Sequence, residues 1–263
     1  MTVSPSPAPG AVPASPAPPA LPVPPTRPFP LGAWLTHVYT AFGAALSFLS
    51  ILAVVSGDIR AAFFCLAVAI VVDSTDGLLA RAFRAAERLP DINGAHLDDI
   101  VDYLTFVFVP SFLLYQTGCL PPGWGLAVVF AVLIVSVIAF SKSDAKTADH
   151  FFTGFPSYWN IVAFYLYAFG VPPGLNAAVL LVLCLLVFVR IGYVYPTRTL
   201  TLRRFTVPFG CAWGALLLYL MWQLPVVNRR LLVVSLAFPV YYTGLSLALN
   251  PRRKGEGRRG QAP

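Results

Sequence analysis

The chain has 263 residues, 57% of them hydrophobic and only 11% charged, more apolar surface than a soluble domain of this length could bury in one core. It reads as a membrane protein with room for several spans of about 20 residues, which excludes a single-span anchor. The 14% share of aromatics, the scarcity of acids and the lack of polar–apolar alternation exclude an acidic disordered chain and an outer-membrane barrel, so the expected fold is an all-α polytopic helical bundle.

Residues 1–30 are rich in Pro and Ala and have neither a basic head nor a continuous apolar stretch, so they read as a disordered, extended tail and not as a signal peptide or first span. Residues 31–249 make up the transmembrane domain. Apolar runs near 34–56, 59–80, 98–116, 124–141, 155–170, 175–195, 206–224 and 230–249 predict about eight transmembrane helices. The range is six to eight, because 155–170 is short and 59–80 carries two aspartates. Residues 250–263 form a basic tail.

With the amino terminus inside, fifteen of the eighteen Lys and Arg residues fall in cytoplasmic segments and only Arg60, Arg229 and Arg230 fall opposite, so both termini are expected in the cytoplasm. Pairing of these residues with anionic lipid headgroups accounts for the net charge of +7 without a nucleic-acid partner. Cys65, Cys119, Cys184 and Cys211 are far apart and suggest neither a disulfide framework nor a zinc site. His37, His96 and His150 are scattered, and solvated or helix-end roles are expected for all three.

Five acids sit in or at the mouth of apolar spans: Asp73 and Asp76 in AIVVDSTDGLLAR, and Asp98, Asp99 and Asp102 in GAHLDDIVDYLTF. A carboxylate at a helix centre costs roughly 2.5–3.5 kcal/mol on insertion scales, so the cluster points to bound cations, a pathway or chemistry. On a helix, Asp73, Asp76, Gly77 and Ala80 share one face and Asp98 and Asp102 share another, while Asp99 turns about 100° away and is left out. Gly77 and Ala80 give the acids a flat floor, and Arg81 ends the helix with a fork suited to phosphate. Four converging carboxylates without nearby His or Cys are a hard-ligand set for Mg²⁺ or Mn²⁺. Two cations fit best, because the acids would otherwise repel one another and protonate. Such sites serve phosphoryl transfer.

Read in order, Asp73, Asp76-Gly77, Ala80-Arg81, Gly94, Asp98 and Asp102 resemble the signature of the CDP-alcohol phosphatidyltransferase family. Twelve residues, 82–93, separate Arg81 from Gly94, more than in the common form of the pattern. This longer gap, with LDDIVDYLTFVFVPSFLLYQTG at 97–118 and FFTGFPSYWNIVAF at 151–164, is similar to bacterial members that form phosphatidylcholine. The resemblance implies transfer of a phosphatidyl group from CDP-diacylglycerol to the hydroxyl of choline, with release of CMP, in the bacterial inner membrane. It also implies that Asp73, Asp76 and Asp98 hold the divalent cations, Mn²⁺ or Mg²⁺, and that Asp102 completes the metal site and acts as general base. Gly77, Ala80, Arg81 and Gly94 would border the CDP-diacylglycerol. Members are often homodimers, and the resemblance extends that expectation to this chain.

Choline is a quaternary ammonium that cannot donate a hydrogen bond from nitrogen, so a selective site needs aromatic faces. The candidates are Tyr103, beside the general base, and Phe151, Phe152, Phe155, Tyr158 and Trp159 at the entry to the fifth span, with Tyr103, Phe152, Tyr158 and Trp159 foremost. An interfacial aromatic belt is the competing account. Asn160 either orients a hydroxyl or satisfies backbone, and Arg84, Glu87, Arg88 and Asp91 read as a solvated turn. Three alternatives remain in view: another acceptor (serine, inositol or glycerol phosphate), cholinephosphotransfer from CDP-choline, and a cation transporter. The last predicts repeats and broken helices and leaves Gly77, Arg81 and Gly94 unexplained.

Overall fold

The computed structural model describes residues 30–141, 151–153, 155–189, 192–194 and 203–259. Helices α1 (Leu31–Val55) and α2 (Ile59–Ala82) form a hairpin that turns at Gly57, whose φ of +83° suits glycine. Asp58 caps α2 by accepting from the Ala61 N–H at 2.9 Å. The buried stripe of α1 is mostly small or polar, Ala33, Thr36, His37, Thr40, Gly43, Ser47 and Ser50, with Leu46 and Val54 its larger apolar members. Small side chains let backbones approach, and hydroxyls bridge them. Ser50 donates to the Ala62 carbonyl at 3.1 Å, and the Tyr39 and Thr75 hydroxyls meet at 2.8 Å.

After the short α3 (Ala85–Arg88), α4 (Gly94–Asp102) starts where the Asn93 side chain accepts from the His96 N–H at 3.1 Å. The predicted third span therefore begins four residues earlier than 98. Its rod continues through a π-helical stretch, Tyr103–Phe108, into α5 (Val109–Gln116). Pro110 has no N–H to give to the carbonyl four residues back, that of Phe106, which lies inside the widened stretch.

Next come α6 (Gly125–Phe140), β1 (Phe151–Thr153), α7 (Trp159–Phe169), α8 (Pro173–Phe188), β2 (Gly192–Val194), α9 (Arg203–Gln223), α10 (Arg229–Ser235) and α11 (Ala237–Arg259). The strands pair antiparallel, Phe152 opposite Tyr193, a small addition to a helical fold. The eighth predicted span is interrupted at Leu236, one turn before Pro239, which has no N–H to give to the carbonyl of Ser235. The predicted tail at 1–30 falls, apart from Pro30, outside the described residues, and the α11 backbone runs past 250 into the basic end.

The core joins Phe63 of α2, Leu113 of α5, Phe164 of α7, Leu220 of α9 and Leu232 of α10, with the Phe63 and Phe164 rings edge to face at 5.4 Å. The Trp213 indole donates to the Tyr165 hydroxyl at 3.1 Å, and Tyr165 meets Ser235 at 3.0 Å, tying α7, α9 and α10. Helices α1 and α2 and the stretches Arg204–Gln223 and Arg229–Ala248 are long and apolar enough to cross a membrane; Gly125–Phe140, Trp159–Phe169 and Pro173–Phe188 are shorter apolar helices. Phe48, Val71, Leu185 and Val240 point outward, as suits a protein whose solvent is lipid.

Candidate active site

One helix organises the site: α1 packs on both α2 and α4. Its approach to α4 is tight at Gly43, where an added Cβ would lie 2.4 Å from Val101 Cγ1. Across this scaffold the end of α2 presents Asp73, and α4 presents Asp98 and Asp102 one turn apart. Ligand oxygens of these three half-buried carboxylates lie within 4.8 Å of one another. Charges this close repel unless a cation or proton lies among them, and oxygen donors without His or Cys suit a hard divalent ion. Asp99 is outside the group, as its azimuth implies.

Asp76 is also outside the group of three. It is 8% exposed, and its Oδ2 accepts from Thr40 Oγ1 of α1 at 2.8 Å. That bond fixes the carboxylate one turn from Asp73, with a second acceptor oxygen left to it.

The Arg81 guanidinium folds back over Gly77, where an added Cβ would meet Nη1 at 3.3 Å; Arg81 itself is exposed, and Ala80 beside it is half-buried. Gly94 opens α4 against His37, where an added Cβ would meet Cε1 at 3.2 Å. The solvated role expected for His37 is corrected: it is 7% exposed, because the polar stripe of α1 faces inward. His96 is exposed in the first turn of α4, and His150 lies outside the described residues.

The aromatic candidates separate. Tyr103 is half-buried, its hydroxyl donating to the Leu133 carbonyl at 3.2 Å and its ring edge to face with Phe140 at 6.2 Å. Tyr158 is half-buried against Phe106, one turn beyond Asp102, with ring centres 6.2 Å apart. Trp159 is a core residue, 2% exposed, its indole donating to Ser136 at 2.9 Å. The side chain of Phe152 lies outside the described residues. Asn160 Oδ1 accepts from the Ile161 N–H at 2.8 Å, the backbone role. Arg84, Glu87, Arg88 and Asp91 are all exposed, as a solvated turn requires.

Sequence reasoning passed over Thr40 and gave His37 only a solvated or helix-end role. Their signal was the run of polar and small residues at 36, 37, 40, 43, 47 and 50, which repeats at helical spacing inside an otherwise apolar segment.

A family model described as CDP-alcohol phosphatidyltransferase matches residues 33–191. A curated relative named "Phosphatidylcholine synthase" from Legionella pneumophila subsp. pneumophila is 42% identical over 167 residues, 63% of this chain and 66% of the relative. Relatives of the same name from Pseudomonas aeruginosa and Rhizobium meliloti are 34% and 31% identical. These alignments cover 82% and 84% of this chain and 90% and 92% of the respective relatives.

Proposed function

The chain belongs to the CDP-alcohol phosphatidyltransferase family, and from that premise we propose that it transfers the phosphatidyl group of CDP-diacylglycerol to the hydroxyl of choline, forming phosphatidylcholine and releasing CMP. The observation that carries the reading is the convergence of Asp73, Asp98 and Asp102 within 4.8 Å, on the motif to which this chemistry belongs.

In this reading Asp73, Asp76 and Asp98, completed by Asp102, would hold two divalent cations, Mn²⁺ or Mg²⁺. Bound there, such ions would supply positive charge to the diphosphate and to the departing CMP. Asp102 takes the proton of the choline hydroxyl. The choline oxygen bonds to the phosphorus that carries diacylglycerol, while the bond from that phosphorus to the bridging oxygen breaks and its electron pair leaves with CMP. Arg81 offers its fork to a phosphate, and Gly77, Ala80 and Gly94 border the nucleotide. Tyr103, next to Asp102 in sequence, and Tyr158, packed against Phe106 one turn further on, are the candidates to offer ring faces to the ammonium, with Phe152 a third.

The protein is read as an inner-membrane enzyme with both termini and the acidic site on the cytoplasmic side, because most of its basic residues cluster there. Choline and CMP then exchange with the cytoplasm while the acyl chains stay in lipid. A homodimer is the proposed assembly.

Membranes holding the protein are tested with CDP-diacylglycerol, Mn²⁺ and choline, serine, inositol or glycerol 3-phosphate. Choline alone is expected to support release of CMP and formation of lipid product, and a chelator to stop both. Turnover with another alcohol alone would reassign the acceptor, and turnover only with CDP-choline and diacylglycerol would reverse donor and acceptor.

Thr40→Val keeps the shape of the side chain and removes the donor to Asp76. Partners that orient ligands are worth about 10–100-fold in metal affinity or activity, and the Mn²⁺ needed for half-maximal turnover is expected to rise by that factor. Thr40→Ser, which keeps the hydroxyl, should recover most of it. Equal Mn²⁺ dependence in wild type and Thr40→Val would show that Asp76 needs no such partner.

A further inference from the structure

Among the described residues, three buried side-chain atoms lack a hydrogen-bond partner: His37 Nε2, Asn160 Nδ2 and Asn176 Oδ1. Each asparagine is anchored through its other atom, Asn160 Oδ1 by the Ile161 N–H and Asn176 Nδ2 by the carbonyls of Cys119 and Val171. His37 is different. It is 7% exposed in the second turn of α1, and neither a cap nor a turn accounts for it. Buried polar atoms almost always find partners, and an apolar side chain would fill the same slot without stranding a nitrogen.

The surroundings say what the missing partner is. The imidazole lies against Gly94, with Cε1 3.2 Å and Nδ1 3.7 Å from where a Cβ would sit. Gly94 is one turn before Asp98 on α4, and Thr40, one turn after His37 on α1, holds Asp76. His37 therefore stands between the two halves of the acidic motif, beside the glycine assigned to the nucleotide.

We propose that His37 Nε2 hydrogen-bonds the cytidine diphosphate half of the donor, and that position 94 is glycine because the imidazole occupies the space a side chain would need. The proposal rests on the CDP-alcohol reading above. It makes His37 a substrate-binding residue for the nucleotide and gives it no part in holding choline.

The test uses the full chain in detergent with Mn²⁺, comparing wild type, His37→Leu, which fills the slot without a donor, and His37→Gln, which fills it and keeps one. CMP affinity is read from the ligand-dependent rise in Tm, and KM is measured for each substrate. Loss of one bond in a dry site is expected to weaken CMP binding and raise the CDP-diacylglycerol KM about tenfold in His37→Leu, with the choline KM unmoved and partial recovery in His37→Gln. Repeating the titration with cytidine separates the sources of the bond: a loss seen with CMP alone assigns it to phosphate, a loss with both to the nucleoside. Equal CMP affinity in wild type and both variants, equal loss in Leu and Gln, or a rise confined to the choline KM would overturn the proposal. A wild-type protein that CMP does not stabilise would overturn the reading beneath it, and this proposal with it.

Discussion

Asp102→Asn is expected to leave the protein folded and able to bind CMP while lowering turnover about 10²–10⁴-fold, the range for removing a positioned general base. The substitution keeps the shape of a half-buried side chain at the junction of α4 and the π-helical stretch, so the fold has little reason to object. What disappears is a negative charge within 4.8 Å of Asp73 and Asp98, and with it the group able to accept the hydroxyl proton of choline. Two measurements separate these losses. If Asp102 served only as a cation ligand, raising Mn²⁺ would restore turnover, as it should in part for Asp73→Asn. If it takes the proton, saturating Mn²⁺ leaves Asp102→Asn slow while CMP still raises Tm. Near-normal turnover in this variant would remove Asp102 from the chemistry and leave the three-carboxylate group a binding site alone.

The legible part of this protein was whatever depends on one helix at a time. Apolar run length located most helices to within a few residues but carried the run 175–195 past the end of α8 at Phe188 and read α10 and α11 as one span, while helical azimuth paired Asp98 with Asp102 and set Asp99 aside, as the observed group of three has it. Features that depend on a second helix were not legible. Asp76 shares a face with Asp73, yet its carboxylate is held by Thr40, 36 residues away, and no periodicity within α2 contains that information. His37 looked like a lone polar residue because its burial is imposed by α2 and α4 closing over α1. Trp159 follows a Pro-Ser turn that reads as interfacial, but Ser157 adopts φ +55° and the indole ends in the core against Ser136. The π-helical stretch left only Pro110 as its trace, and a proline alone does not say whether a helix kinks, ends or widens.

Gly43→Ala is expected to damage the site from a distance. No ideal Cβ fits 2.4 Å from Val101 Cγ1, and Val101, β-branched and buried, cannot swing aside as a lysine tip could. The helices must part, at a cost of about 1–3 kcal/mol for overpacking, and α4 carries Asp98 and Asp102 with it. Misplacing reacting groups by about 1 Å can cost 10²-fold, so turnover should fall by about that much although Gly43 touches no substrate. The compensating change is specified by the geometry. Without its γ carbons, position 101 presents only a Cβ, 3.9 Å from the new methyl, an ordinary contact. Gly43→Ala with Val101→Ala should therefore recover both Tm and turnover relative to Gly43→Ala alone, a coupling opposite in sign to additive damage. Losses that simply add would mean that α1 does not set the position of α4. Recovery would show that the distance between Asp73 and the two α4 carboxylates is fixed by how closely two backbones meet at a single glycine.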